Sequence, residues 1–235
     1  MDALGSRRMP TIMLSIGVDL GQKRDPTAVA VLEVQHHPDG RVHFTCRFLE
    51  RLALGTPYPD VVRRVAAIQQ NAAVRARQAV MDTTFTDAQV TVTTAIDATG
   101  VGQPVADLFR EAGLPVVSCY FTHGDRRTEA NGQVTIGKAW LVSRLQALMQ
   151  GDRLHLPASH PEARALTREL LDYEIRIDEN ANDKYGAFRV GTHDDLVTAL
   201  GLAVGPGDSM RGFGISSWLP DGNDDDDDDA RAWLQ

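Results

Sequence analysis

Cysteine is nearly absent, with Cys46 and Cys119 the two in 235 residues. Two thiols build neither a disulfide framework nor a zinc-type cysteine cluster, and their scarcity points to the reducing cytoplasm. Long apolar runs are missing too. No stretch approaches the ~20 residues of a membrane span, which leaves no membrane partner. The opening "MDALGSRRMPTIML" has its apolar stretch too short and too late for a secretory signal. Basic residues are also short, 24 Lys and Arg against 32 Asp and Glu, for a net charge of -8. That deficit is local. The end "DGNDDDDDDARAWLQ" holds Asp221 and Asp224 to Asp229, seven acids against the single base Arg231, and so carries six of the eight net charges. Residues 1–220 are close to neutral, and composition neither supports nor excludes a nucleic-acid substrate.

What is present is an ordinary globular balance of 43% hydrophobic and 24% charged residues, in a length that fits one large α/β domain or two small ones. Residues 1–12 read as a mobile leader, 13–205 as the folded body, and 206–235 as an acidic, disordered tail. Within the body, "TIMLSIGVDLG", "TAVAVLEVQ" and "RVHFTCRFLERL" read as an antiparallel three-strand meander, with "HHPDG" as turn chemistry between the last two. "YPDVVRRVAAIQQNAAVRARQAVM" is a long helix, carrying Val61, Val65, Ile68 and Ala72 at helical spacing. "QVTVTTAIDATG", "QPVADLFREAG" and "LPVVSCYFT" then form a strand–helix–strand unit, which implies parallel pairing. A polar hairpin or loop ("GDRRTEANGQVTIG"), a helix ("KAWLVSRLQALMQG"), a short strand ("DRLHLP"), another helix ("HPEARALTRELLDYEI") and a further hairpin follow. The last helix begins in "GTHDDLVTALGLAV".

The chemistry sits at strand ends. Asp19 closes the first strand in "SIGVDLG", and Asp97 closes the fourth in "TAIDATG". A carboxylate at the end of a buried strand costs several kcal/mol to desolvate unless it is paired or binds a cation. Each could also be a turn-forming Asp bonded to nearby amides. In the final helix, Thr192 and Asp195 fit a capping box, and Asp194 with Asp195 would fall in the first turn and favour the helix dipole. If the two strands are neighbours and the helix crosses their ends, four acids converge, and they cannot all stay ionised without counter-charge. Oxygen-only ligation selects a hard cation, Mg2+ or Mn2+. Two such ions ~4 Å apart would suit phosphoryl displacement.

The three segments "GVDLGQKRDPTAVAVLE", "IDATGVGQPVADLFREAG" and "THDDLVTALGLAV" resemble, in order and spacing, the nuclease domain of tailed-phage large terminase subunits. "TIGKAWLVSRLQALMQGDRLHLP" is similar to that family's segment between its second and third acidic motifs. The resemblance spans about residues 13–205. It implies an RNase H-like (integrase-like) α/β fold: a central mixed sheet, the meander plus parallel strands, flanked by helices. It also implies Mg2+- or Mn2+-dependent, two-ion cleavage of double-stranded DNA during genome packaging, in the cytoplasm of a bacterial host. By match, Asp19, Asp97 and Asp195 would be catalytic metal ligands, with Asp194 an extra ligand or neighbour. Packaging ATPase, small terminase and portal protein would be the partners. The chain begins a few residues before the first motif, so the ATPase domain of a complete large terminase is not expected within it.

Other residues have weaker claims. "GQVTIGKA" matches a P-loop except that Ala139 replaces the metal-binding Ser or Thr. Lys138 therefore reads as a helix start, with contact to a DNA phosphate as the alternative. Arg63, Arg64, Arg75 and Arg77 read either as phosphate contacts or as a solvated helical face. His193 could orient an aspartate or assist proton transfer, or simply begin the helix. Asp25, beside Pro26, reads as a turn residue. The Asp run reads as a solubilising tail. Three rival readings remain: an actin-like nucleotide binder, suggested by "GVDLG" but needing two such domains; a non-catalytic packaging module; and, within the fold class, a Holliday-junction resolvase.

Overall fold

The computed structural model describes residues 11–209, except 22, 24, 38, 82–87, 101, 131–132, 173, 178–182 and 187–192. The leader through residue 10, Thr192 of the proposed capping box, the tip of the second hairpin and the acidic tail all lie outside the described residues.

The strands are β1 (Thr11–Asp19), β2 (Ala28–His36), β3 (Val42–Arg51), β4 (Gln89–Asp97), β5 (Val116–Thr122), β6 (Arg127–Ala130), β7 (Gln133–Gly137) and β8 (Leu154–His155), with β9 (Glu174–Ile177) and β10 (Asp183–Gly186) forming a separate hairpin. The helices are α1 (Tyr58–Met81), α2 (Gly102–Glu111), α3 (Lys138–Gln150), α4 (Ala163–Asp172) and α5 (Asp195–Ser209). Eight strands form one sheet in the order β6-β7-β5-β4-β1-β2-β3-β8. The β1–β2–β3 meander is antiparallel, as read from the sequence. The β4–α2–β5 unit pairs in parallel, and β4 lies parallel to β1 at the centre. The polar segment after β5 is a true hairpin, whose β7 joins the sheet parallel to β5.

β1 is central because every residue from Ile12 to Val18 is buried. An unbroken apolar run suits a strand covered on both faces better than alternation does. One cover is α1 and α2, with Val61, Val65, Ile68, Ala72, Ala76 and Val80 recurring every three or four residues along α1 and packing on Leu14, Ile16 and Val18. The other is α5, flanked by α3 and α4.

α5 is buried all round from Asp195 to Gly205. Leu196, Val197, Leu200, Leu202 and Val204 are each 1% exposed or less. Burying each of these side chains contributes about 1.5–3 kcal/mol relative to leaving it in water. The sheet accepts the helix at Gly17, where a Cβ would sit 1.9 Å from the Ala199 carbonyl oxygen. Glycine is therefore what lets α5 lie directly on β1, and its N-terminus then arrives at the end of that strand.

Candidate metal centre

Register brings the acids together. Val18 of β1 pairs with Ile96 of β4, so Asp19 and Asp97 follow side by side at the ends of two parallel neighbours. On the other flank Asp19 pairs with Ala28, and Ala28 with Arg51. Side chains alternate along a strand. Ala95, Ala28 and Leu49 all contribute to the α5-facing core, so Asp97, Asp19 and Arg51 share that face.

α5 delivers the remaining acids. Asp194 precedes its first turn, and the Thr198 amide donates to the Asp194 carbonyl at 2.9 Å. Asp195 begins the helix and is 2% exposed. The sequence reading put both acids inside the first turn; Asp194 is instead the capping residue. The Leu196 and Val197 amides donate not to Asp195 but to Oε2 of Glu169 on α4, at 2.9 and 3.1 Å.

Asp19 senses the other three carboxylates. Asp19 is held well above the ordinary carboxylate range by burial, and then by the charges of Asp97, Asp195 and Asp194, against a lowering influence from Lys138. Burial also raises Asp97, although Thr99 and Lys138 act to lower it. Asp195 is pushed up to about 6, mainly by burial, with Arg51 and His193 opposing. Like charges gathered in a desolvated pocket behave this way when the counter-charge is insufficient.

Local bonds fix individual members. Thr99 donates to Asp97 Oδ1 from its amide at 2.8 Å and its hydroxyl at 2.5 Å. The Thr99 hydroxyl in turn accepts from the Phe121 amide at 2.7 Å, tying the turn to β5. Lys138, the first residue of α3, lies with Nζ 3.8 Å from Asp194 Oδ2 and 5.6 Å from the centre of the Phe121 ring.

Asp25 belongs with these residues, which its reading as a turn residue missed. The turn after β1 is closed by Thr27, whose Oγ accepts from the Gly21 amide at 3.2 Å and donates to the Gly21 carbonyl at 3.0 Å. His193 Nδ1 stands 3.8 Å from Asp25 Oδ1 and 3.6 Å from Asp195 Oδ2. Asp25, His193 and Asp195 are the one trio among the described residues whose ligand atoms all lie within 4.8 Å of one another. Asp19 and Asp97 are not members of that trio; Asp19 senses the charge of Asp195, and Asp97 lies beside Asp19.

The donor set fits a divalent cation. Asp195 Oδ2 and His193 Nδ1 are buried, and neither has a hydrogen-bond partner among the described residues. A buried carboxylate oxygen without a hydrogen bond is costly, and the 3.5 Å ion pair with Arg51 meets its charge without supplying one. Carboxylates with one imidazole suit a hard or borderline divalent ion.

No family model matches the chain, and no curated protein matches it. Solved structures do. The large terminase nuclease from thermophilic phage G20c with bound magnesium superposes with a TM-score of 0.56 at 21% identity, covering 82% of this chain and 80% of that one. The cobalt-bound form of that nuclease gives the same values. The nuclease domain of the Thermus phage P74-26 large terminase gives 0.54 at 18% identity, over 88% and 84% of the two chains. This chain has the fold of a large terminase nuclease. The RNase H-like mixed sheet expected from the sequence is the sheet observed.

Within the terminase nuclease fold, the residues singled out from the sequence divide in two. Asp19, Asp97, Asp194, Asp195, His193 and Lys138 meet at one end of the central strands. Arg63 and Arg64 do not join them. Arg63 pairs with Asp60 one turn away on α1. Arg64 makes a two-pronged bond to Glu50 at 2.8 and 2.9 Å, on the sheet face opposite Arg51. Lys138 starts α3 straight from β7, with no glycine-rich phosphate loop between them. Among the described residues no helix is long and apolar enough to cross a membrane.

Glu169 had a signal in the sequence. It follows Ala163 and Leu166 at three-residue spacing on the buried stripe of α4, and an acid on an apolar stripe needs a partner.

Proposed function

We propose that this protein is a divalent-metal-dependent endonuclease that hydrolyses phosphodiester bonds in double-stranded DNA, as the nuclease module of a phage packaging terminase. One observation carries the reading: Asp19 and Asp97 close two adjacent parallel strands, and burial together with the charges of Asp97, Asp195 and Asp194 holds Asp19 well above the ordinary carboxylate range, in the fold of metal-binding terminase nucleases.

Asp19, Asp97 and Asp195 would hold the cations, with Asp194 beside them. Asp25 and His193 would complete the donor set around Asp195. Mg2+ or Mn2+, two ions in this reading, would supply positive charge to the attacking and leaving oxygens of the displacement. The chain's own groups do the rest. Thr99 fixes the Asp97 carboxylate, and the turn closed by Thr27 carries Asp25 back towards α5. Lys138 brings a positive charge to the rim, where a DNA phosphate would replace Asp194 as its partner. Contacts of this kind go to the backbone and carry no sequence preference. A packaging ATPase, a small terminase and a portal protein are the partners this role requires, with the host cytoplasm as its place of action.

The test is conversion of supercoiled plasmid to open and linear forms with Mg2+, with Mn2+ and with EDTA. Wild type is expected to cut with either metal and not with EDTA, and Asp97→Ala is expected to be inactive. Cleavage that survives EDTA or the Asp97→Ala change rejects the proposal.

A further inference from the structure

Glu169 uses its two oxygens for different tasks. Oε2 accepts the Leu196 and Val197 amides at 2.9 and 3.1 Å, supplying from another helix the cap that the start of α5 needs. Oε1 pairs with Nη2 of Arg51. Both partners lead to Asp195. The capped amides belong to the two residues that follow it, and Arg51 Nε makes a 3.5 Å ion pair with Asp195 Oδ2 that is not a hydrogen bond. Glu169 is 5% exposed, so its charge acts in a poorly screened environment.

The consequence is a competition. Arginine binds carboxylates through paired hydrogen bonds and would use the same lone pairs that a cation needs. With Arg51 held by Glu169, its ion pair with Asp195 Oδ2 stays too long to be a hydrogen bond, and the oxygen's lone pairs stay open towards His193 and Asp25. With Glu169 neutral, Asp195 is the carboxylate left to Arg51, and their ion pair is free to tighten into hydrogen bonds.

We propose that Glu169 is a positioning residue for the cation site, anchoring the first turn of α5 while keeping Arg51 from a hydrogen-bonded pair with Asp195. This rests on the metal-dependent reading above. Neither Glu169 nor Arg51 touches the reacting atoms; both act through Asp195.

The experiment is calorimetric titration of Mn2+ into the full chain, alongside thermal melts in EDTA. Glu169→Gln keeps a carbonyl oxygen for the α5 amides but loses the charge that holds Arg51. It is expected to melt near wild type and to bind Mn2+ about 10–100-fold more weakly, the usual cost of removing a group that supports a metal ligand. Glu169→Ala also loses the cap, and is expected to melt lower as well. Arg51→Met alone is expected not to weaken Mn2+ binding, and Arg51→Met added to Glu169→Gln is expected to restore it. A purely structural role predicts the reverse, with affinity tracking the melting temperature and no rescue. Wild-type affinity in Glu169→Gln, or failure of the double variant to recover, overturns the inference alone. A wild type that takes up no Mn2+ overturns the metal reading, and this inference with it.

Discussion

The Ser15 hydroxyl donates a 2.5 Å hydrogen bond to the carbonyl of Ala203, joining the middle of β1 to α5 across 188 positions of sequence. Two residues along β1 on the same face, Gly17 lies under Ala199. These contacts set how deeply α5 seats on the sheet, and so where Asp195 stands relative to Asp19. Gly17→Ala forces a methyl to within 1.9 Å of a backbone oxygen, which no side-chain rotation relieves. Overpacking of this kind costs about 1–3 kcal/mol or more. Ser15→Ala, which removes one buried hydrogen bond, is expected to cost about 1 kcal/mol. Urea unfolding in EDTA measures both, and a Gly17→Ala protein as stable as wild type would mean that α5 does not lie this close to β1.

Asp19→Asn separates function from folding. In the metal-free protein Asp19 is crowded by three like charges, so its neutral isostere relieves repulsion and the melting temperature in EDTA is expected to hold or rise. Plasmid cleavage moves the other way. Supporting groups around a metal are worth ~10–100-fold, so losing a ligand is expected to cost more than ~100-fold. A clear fall in metal-free stability would show that Asp19 serves the fold and not a cation.

Much of this was legible in the sequence, for reasons that differ by residue. The apolar run of β1 and the periodic valines of α1 made the layers readable, because burial is written in local pattern. Asp19 and Asp97 stood out as charges closing apolar strands. Asp25 did not, because its value depends on the turn that brings it to His193, and Asp-Pro reads equally well as an ordinary turn. The sequence offers Thr192 with Asp195 as a local capping box for α5, of which Thr192 lies outside the described residues, and gives no hint that Glu169, more than twenty residues earlier, caps the Leu196 and Val197 amides. Local motifs cannot reveal a cap donated by another helix. The basic look of α1 concealed pairings such as Arg64 with Glu50, which exist only once the sheet is assembled.

Arg64 tests that last point. Its guanidinium bonds Glu50 on the sheet face away from the acids, with its side chain 42% exposed. Exposed pairs contribute about 0.2–1 kcal/mol. Arg64→Met is therefore expected to lose no more than about 1 kcal/mol of stability, with plasmid cleavage unchanged. A tenfold loss of cleavage without loss of stability would place DNA on α1 instead.

The acid cluster also sets a pH dependence whose sign changes with metal. Asp195 ionises near its ordinary value of 3.8 when the chain is unfolded and at about 6 when it is folded. A carboxyl group raised on folding takes up protons preferentially in the native state, so its stabilising contribution is full below the lower value and lost as pH rises through the upper one. In EDTA, wild type is expected to lose stability relative to Asp195→Asn between about pH 4 and pH 6, by an amount on the order of a few kcal/mol. Asp19, also raised, extends the trend in the same direction. With saturating Mg2+ the trend reverses, because the cation needs ionised carboxylates and rising pH strengthens its hold on the native state. Urea midpoints for the two proteins at each pH, with EDTA and with Mg2+, measure both trends. Parallel curves for wild type and Asp195→Asn in EDTA would show that Asp195 is not held in its protonated form by the fold. A wild-type curve that Mg2+ leaves unchanged would show that the cluster has no use for the ion.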